Sequence, residues 1–365
     1  MHAYTLGGGD GFAVTVWTYG ATLVEVLAPD PEGHRANVVA RLPDLAAYQD
    51  RARNPYVGAT IGRYCRGISH GRFRLDGTEY RLERNDGPHH VHGGTWGMDR
   101  YVWEAEADHD GDEAVLRMRL TSPDGDQGYP GELRTEAVYR VGPDQRLTVE
   151  YRATASAPTI VGFTNHAFWN LAGAGTVDGH WLRLNARHAV VFDAQLMPLA
   201  GDPVPVVGTA LDFTGHRRLN AVVLDNCYVL ERHFAPLGIA PLGIAPLDVG
   251  QTGVGHTDVG QTGVGHTGVG HTGVGDDSVG RLSADGEGWV ATLSDGGSGR
   301  MMRVYTDQPA VGVYSADHWA QRPRVGLCLE TGPLPDAPNR SDYPSCRLDP
   351  GGLYRARTVY RFSVR

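Results

Sequence analysis

Cysteine is scarce and scattered. Cys65, Cys227, Cys328 and Cys346 are the four in 365 residues, and no C-x-x-C spacing is present to hold zinc or a redox pair. They read as free thiols. No basic stretch followed by an apolar one opens the sequence, and no run approaches the roughly 18 apolar residues of a membrane span. The expectation is a cytoplasmic protein with no membrane partner. Positive charge is also short, with 33 Lys and Arg against 42 Asp and Glu and a formal net charge of −9. Nucleic-acid binding needs clustered cations against phosphates, so that class of partner is excluded. A neutral, hydroxylated small molecule fits better. Helical periodicity is almost absent as well, which removes bundles and α/β layers from consideration.

What remains is β texture. Short runs of β-branched and aromatic residues recur between Gly, Asp and Pro signals at 12–20, 71–82, 113–122, 146–155, 181–192, 300–307, 326–330 and 352–365, and each reads as a strand. Asp76-Gly77 separates two alternating runs, and that dipeptide tolerates the positive φ angles of a tight hairpin turn. The predicted fold class is all-β, a large antiparallel β-sandwich.

Residues 235–279 interrupt this texture with nine consecutive pentads, from APLGI to GDDSV. Each supplies too little apolar surface to offset the entropy of ordering its backbone. The segment reads as a disordered or loosely ordered insertion in a hairpin connection between CYVL (227–230) and WVATL (289–293). His256, His266 and His271 within it read as solvated loop histidines rather than metal ligands.

Three polar clusters stand out from the strands. In NDGPHHVHGG (85–94), His89, His90 and His92 lie beside paired glycines. Such a segment can line a pocket mouth, whereas a metal site would want further ligand spacing. TIVGFTNHAFWNLAG (159–173) sets Asn165, His166 and Asn170 among Phe163, Phe168 and Trp169. Aromatic rings suit the C–H faces of a sugar, and an apolar surround perturbs a histidine. A core histidine satisfied by a carbonyl is the alternative. In GLCLETGPLPDAPN (326–339), Glu330 ends an apolar strand. A buried carboxylate there is either a functional base or half of a structural ion pair. Asp225, in VVLDNCYVL, is a weaker candidate and reads equally as a turn aspartate.

Taken in order, PYVGATIGR, GRFRLDGTEYRL, GPHHVHGG, SPDGDQGYPGEL, TNHAFWNLAG and LCLETGPLPDAPN resemble the landmark segments of aldose 1-epimerases, also called galactose mutarotases. The resemblance runs from about residue 12 to the end and skips the pentads. It implies one galactose-mutarotase-like supersandwich domain over 1–365, no cofactor or metal, a small-molecule sugar as partner, and a monomer or homodimer. By position it implies His166 as general acid and Glu330 as general base. It also places His92 near the sugar ring oxygen and Asp225 on sugar hydroxyls.

Two positions depart from the family. Its usual Asn-Arg after IGR is replaced in IGRYCRGIS by Arg66 and Gly67, and Gly312 stands where many relatives offer a Gln. On a strand, the one-residue displacement of the guanidinium would turn Arg66 to the wrong face, while in a loop it would still reach substrate. The leading expectation is anomer interconversion on a modified or less hydroxylated sugar. Alternatives are another ring-opening or ring-closing reaction in biosynthesis, a non-catalytic carbohydrate-binding or regulatory protein, or a phosphosugar epimerase using Arg63, Arg66 and Arg72.

Overall fold

The computed structural model describes residues 1–9, 11–220, 222–230 and 288–365. The pentads lie outside the described residues. Two large sheets dominate, of nine and six strands, with a four-stranded sheet built from the first four strands of the chain. Their pairings are antiparallel, as expected for the all-β sandwich. Glu113–Ser122 and Arg146–Ala155 form strands with the ends the sequence predicts. Asp76 and Gly77 turn the small hairpin with φ of 50° and 80°, the left-handed pair that such a two-residue turn needs. Among the described residues the one α-helix is Leu45–Gln49, capped by the Asp44 side chain accepting from the Ala47 N–H at 2.9 Å. No helix is long and apolar enough to cross a membrane among the described residues.

The six-stranded sheet positions the site. Its order is Phe168–Trp169, Leu327–Gly332, Ala310–Tyr314, Asp225–Val229, His188–Ala189 and Val204–Pro205. Strand alternation splits its residues between two faces. Leu327, Leu329, Val311, Val313 and Tyr228 enter the main core with residues of the other large sheets. Burying each of the Leu and Val side chains contributes about 1.5–3 kcal/mol. Their alternates, Cys328, Glu330, Gly312, Tyr314, Asp225 and Cys227, share the opposite face.

Two expectations need correction. The run 181–192 is not one strand: His180–Leu184 belongs to the nine-stranded sheet and His188–Ala189 to the six-stranded sheet. The pentads also do not join the arms of a hairpin. Asp225–Val229 lies in the six-stranded sheet and Gly288–Asp295 in the nine-stranded one, so the connection crosses between sheets. Local alternation marks a strand but carries no information on which sheet it joins.

Candidate active site

Register builds the cavity floor in two rows. Cys328 pairs with Tyr314, which pairs with Asp225, while Glu330 pairs with Gly312, which pairs with Cys227. Directly opposed residues of antiparallel strands point to one face, as do residues two apart on a strand. All six therefore project the same way. Five of them line a cavity of about 500 Å³, and Cys328 is fully buried behind it. Glu330 sits inside its strand rather than at the end.

His166 comes from the two-residue link between the short strands Thr164–Asn165 and Phe168–Trp169. Its N–H donates to the Ala59 carbonyl at 2.9 Å and its own carbonyl accepts from Gly58 N–H at 2.9 Å. Gly58 must be glycine, because its φ is +68° and a Cβ would lie 2.1 Å from the Leu23 carbonyl oxygen. Held this way, the imidazole brings Nε2 to 3.6 Å from Glu330 Oε1 and Nδ1 to 3.4 Å from Cys328 Sγ. Phe168 packs on the ring at a centroid distance of 5.1 Å.

Glu330 is buried, which alone would push its carboxyl up, yet His166 and the Arg66 guanidinium overcome this and hold it below the ordinary carboxylate range. It is therefore ionised at neutral pH. Arg66 contributes an ion pair from Nη1 to Glu330 Oε2 at 3.2 Å. It also donates to the Glu330 and Pro333 carbonyls. Arg66 lies in a loop, not on a strand, so its displacement in sequence does not turn it away from the cavity.

His92 joins this group. Its Nδ1 lies 2.8 Å from the Cys65 carbonyl, and burial lowers its pKa to about 3. The ring is neutral, and a carbonyl only accepts, so the proton resides on Nδ1 and Nε2 is a free acceptor. Asp225 also lines the cavity. Burial, then the nearby Glu330 charge, raises its pKa to about 6. Rather than a turn residue, it opens the strand Asp225–Val229.

Other predicted polar residues serve the scaffold. His90 bonds the Glu83 carbonyl and the Tyr129 hydroxyl, and His89 takes the His70 N–H and Gln195. Asn165 donates to the Gly58 carbonyl, and Asn170 donates to three carbonyls away from the cavity. Arg63 spends its guanidinium on Ser122 and on the carbonyls of Ser122, Pro123, Pro130 and Gly131. Arg72 is exposed on the small hairpin. A phosphate clamp of Arg63, Arg66 and Arg72 is thus not assembled.

Sequence reasoning passed over Tyr56, Met197, Tyr314 and His318, which also line the cavity. Tyr314 and His318 stack at an interplanar angle of 14°, and Tyr56 meets the His92 ring edge-on at 4.8 Å. Nothing in the local sequence marks them, since their positions depend on distant loops. His92, His166 and Glu330 offer three potential metal-ligand atoms within 4.8 Å of one another. The Arg66 charge on Glu330 opposes a cation there.

Fold and cavity together define a β-sandwich of the galactose-mutarotase-like class. Residues 2–361 match the aldose 1-epimerase family, and the chain belongs to it. It is 30% identical to a galactose mutarotase of Bos taurus over 97% of this chain and 92% of that protein. It is also 30% identical to an aldose 1-epimerase of Escherichia coli K12 over 98% and 94%. Among solved structures, an aldose epimerase homologue from C. elegans superposes with a TM-score of 0.78 at 22% identity, covering 100% of this chain and 99% of that one. A galactose 1-epimerase from Lactobacillus acidophilus gives 0.74 at 24% identity, covering 99% and 93%. The family places the chain among isomerases acting on sugar rings.

Proposed function

We propose that this protein interconverts the anomers of a free aldose by opening and reclosing the cyclic hemiacetal. The observation that carries the reading is the contact between an ionised, Arg-paired Glu330 and the Nε2 of His166 at 3.6 Å. A hemiacetal carries its hydroxyl and its ring oxygen on one carbon, so an acid and a base must reach neighbouring atoms. Glu330 takes the proton of the anomeric hydroxyl while protonated His166 gives one to the ring oxygen. The C–O bond then breaks without accumulating full charge. The aldehyde rotates, closes on its other face, and both protons return. His92 accepts from a sugar hydroxyl through Nε2, and Asp225 holds another hydroxyl. The remaining donor capacity of Arg66 faces the sugar. The sequence contains no lysine, so no lysine imine competes with reclosure of the open aldehyde.

The substrate we favour is less hydroxylated than an ordinary hexose. Met197 occupies the space beside Gly67, with its Cε 2.3 Å from where a Cβ would stand. Phe192, Leu196 and Val91 add apolar surface to the cavity. A wall of this kind leaves sugar hydroxyls unpaired and favours C–H or deoxy positions against it. The test is an NMR measurement of anomer exchange over a panel of aldoses, deoxy sugars and phosphosugars. Accelerated exchange on one of them supports the reading. Saturable sugar binding with no acceleration on any supports a binding protein instead.

A further inference from the structure

Leu196 breaks two local rules at once. Its backbone sits in the left-handed region, with φ of 59°, which suits Gly or Asn, and its large aliphatic side chain is 46% exposed. Asparagine would satisfy both the backbone and the solvent there. The leucine side chain instead lines the cavity, as do Phe192 and Met197 from the same turn, and Met197 is buried against Gly67. We propose that residues 192–198 form a subsite for a methyl-sized apolar group on the sugar, an exocyclic methyl or a methyl ether standing where an ordinary hexose carries a free hydroxyl. This rests on the reading of the cavity as a sugar site and names the class of sugar it takes.

The turn is held before any ligand arrives. Phe192 and Pro198 pair as its two ends. Asp193 closes it: its N–H donates to the Met197 carbonyl at 2.9 Å and its carbonyl accepts from the Leu196 N–H at 3.1 Å. Its carboxylate accepts from the N–H groups of Gln195 at 2.8 Å and Met197 at 3.0 Å. The Gln195 side chain meets His89 Nε2 at 3.1 Å, and Arg340 donates to the Leu199 carbonyl just beyond the turn at 2.9 Å. Both polar side chains of the turn are thus spent on holding it, and carbon and sulfur are what it presents to the cavity. A hydroxyl set against Phe192, Leu196 and Met197 loses its water partners and gains none, whereas a methyl group gains burial. A wall fixed in advance pays little ordering entropy on binding, so the difference is expressed as selectivity. The backbone strain at Leu196 is stored where its side chain borders the ligand space, as strain at a binding site is.

The test measures anomer exchange by NMR for the full chain as wild type, Leu196→Asn and Met197→Gln. The sugars are glucose, galactose, their 6-deoxy forms and their mono-O-methyl ethers at the non-anomeric positions. In the wild type at least one methyl-bearing sugar should exceed its parent in kcat/KM by about tenfold or more, the discrimination one methylene gives in a fitted apolar pocket. The arm that shows the preference, 6-deoxy or ether, identifies the source of the methyl. Leu196→Asn should cut the preference by about tenfold while melting at or above the wild-type temperature, because asparagine fits the left-handed backbone. Met197→Gln, of nearly equal length, should cut it likewise. A purely structural role for the turn would move stability and leave the preference where it was. No methyl-bearing sugar preferred over its parent in the wild type, or a preference unchanged in both variants, overturns the proposal. Titration of the same sugars followed by NMR gives Kd without turnover. If no sugar exchanges faster than it does unaided, the isomerase reading fails, while a lower Kd for a methyl-bearing sugar than for its parent, lost in Leu196→Asn, still upholds the subsite.

Discussion

Arg66 and Gly312 occupy one space: a Cβ on residue 312 would stand 2.5 Å from Arg66 Nη1 and 3.1 Å from its Cζ. The guanidinium sits over the glycine and reaches Glu330 at 3.2 Å from there. The two departures from the family pattern are therefore one change. Loss of a side chain at 312 makes the room that the displaced arginine fills.

Coupling of this kind is measurable. Gly312→Ala should push the guanidinium off Glu330 and lower kcat/KM by about tenfold or more, because a buried charge loses its partner. In an Arg66→Asn background the same alanine should cost little. A double-mutant cycle should thus show an interaction of about 1–3 kcal/mol, and additive effects would separate the two positions.

Restoring the family's polar set requires more than the arginine. Gly67→Arg must displace the Met197 methyl, 2.3 Å from its Cβ position, which is the flexible end of a side chain and can move. Arg66→Asn with Gly67→Arg and Gly312→Gln should raise kcat/KM on glucose or galactose by up to about one to two orders of magnitude, the worth of a charged hydrogen bond. The native substrate should lose in parallel. Steady-state kinetics on both sugars checks this. No gain on any hexose, with Arg66→Ala alone inactive, would show that Arg66 already fills the contact.

Asp225 should trade stability for binding. Its folded pKa of about 6 lies above the ordinary aspartate value of 3.8, so between these values the native state binds more protons than the unfolded chain. Stability falls as pH rises through that window and stays reduced above it. Asp225→Asn should then melt several degrees above wild type at pH 7.5, a gain of up to about 3 kcal/mol, and match it below pH 4. Its KM should rise and lose any inflection near pH 6. Melting curves at the two pH values, paired with KM, decide the matter.

The sequence patterns made much of the site readable. Glu330 and His166 stand in motifs whose order matches the family, and His92 follows from the glycines beside it. The strand runs were readable because alternation is a local property. Unreadable features all depend on distant register. Cys328 is a free thiol in the sequence alone, and comes to 3.4 Å from His166 only because Phe168 pairs opposite it. Arg63 and Arg66 look alike in sequence, yet one is spent on backbone carbonyls and the other on Glu330. Asn165 and Asn170 flank His166 closely but bond the scaffold.

The pH dependence of the proposed reaction follows from Glu330. Because Glu330 is held below the ordinary carboxylate range, it stays ionised through neutrality, and its stabilising ion pair is lost only as pH falls through that lowered value. The acid limb of kcat should therefore lie below about pH 4.3, the reference for a free glutamate. A limb well above that value, unchanged in Asp225→Asn, would contradict the pairing with Arg66 and His166.

Anomer exchange by Glu330→Gln and His166→Ala, measured by NMR on the best sugar of the panel, tests the central claim most directly. Each variant should fold, bind the sugar and exchange anomers about a hundredfold or more slower than wild type, the effect of removing a positioned proton-transfer group. Near wild-type exchange in both would contradict the acid and base assigned to this cavity.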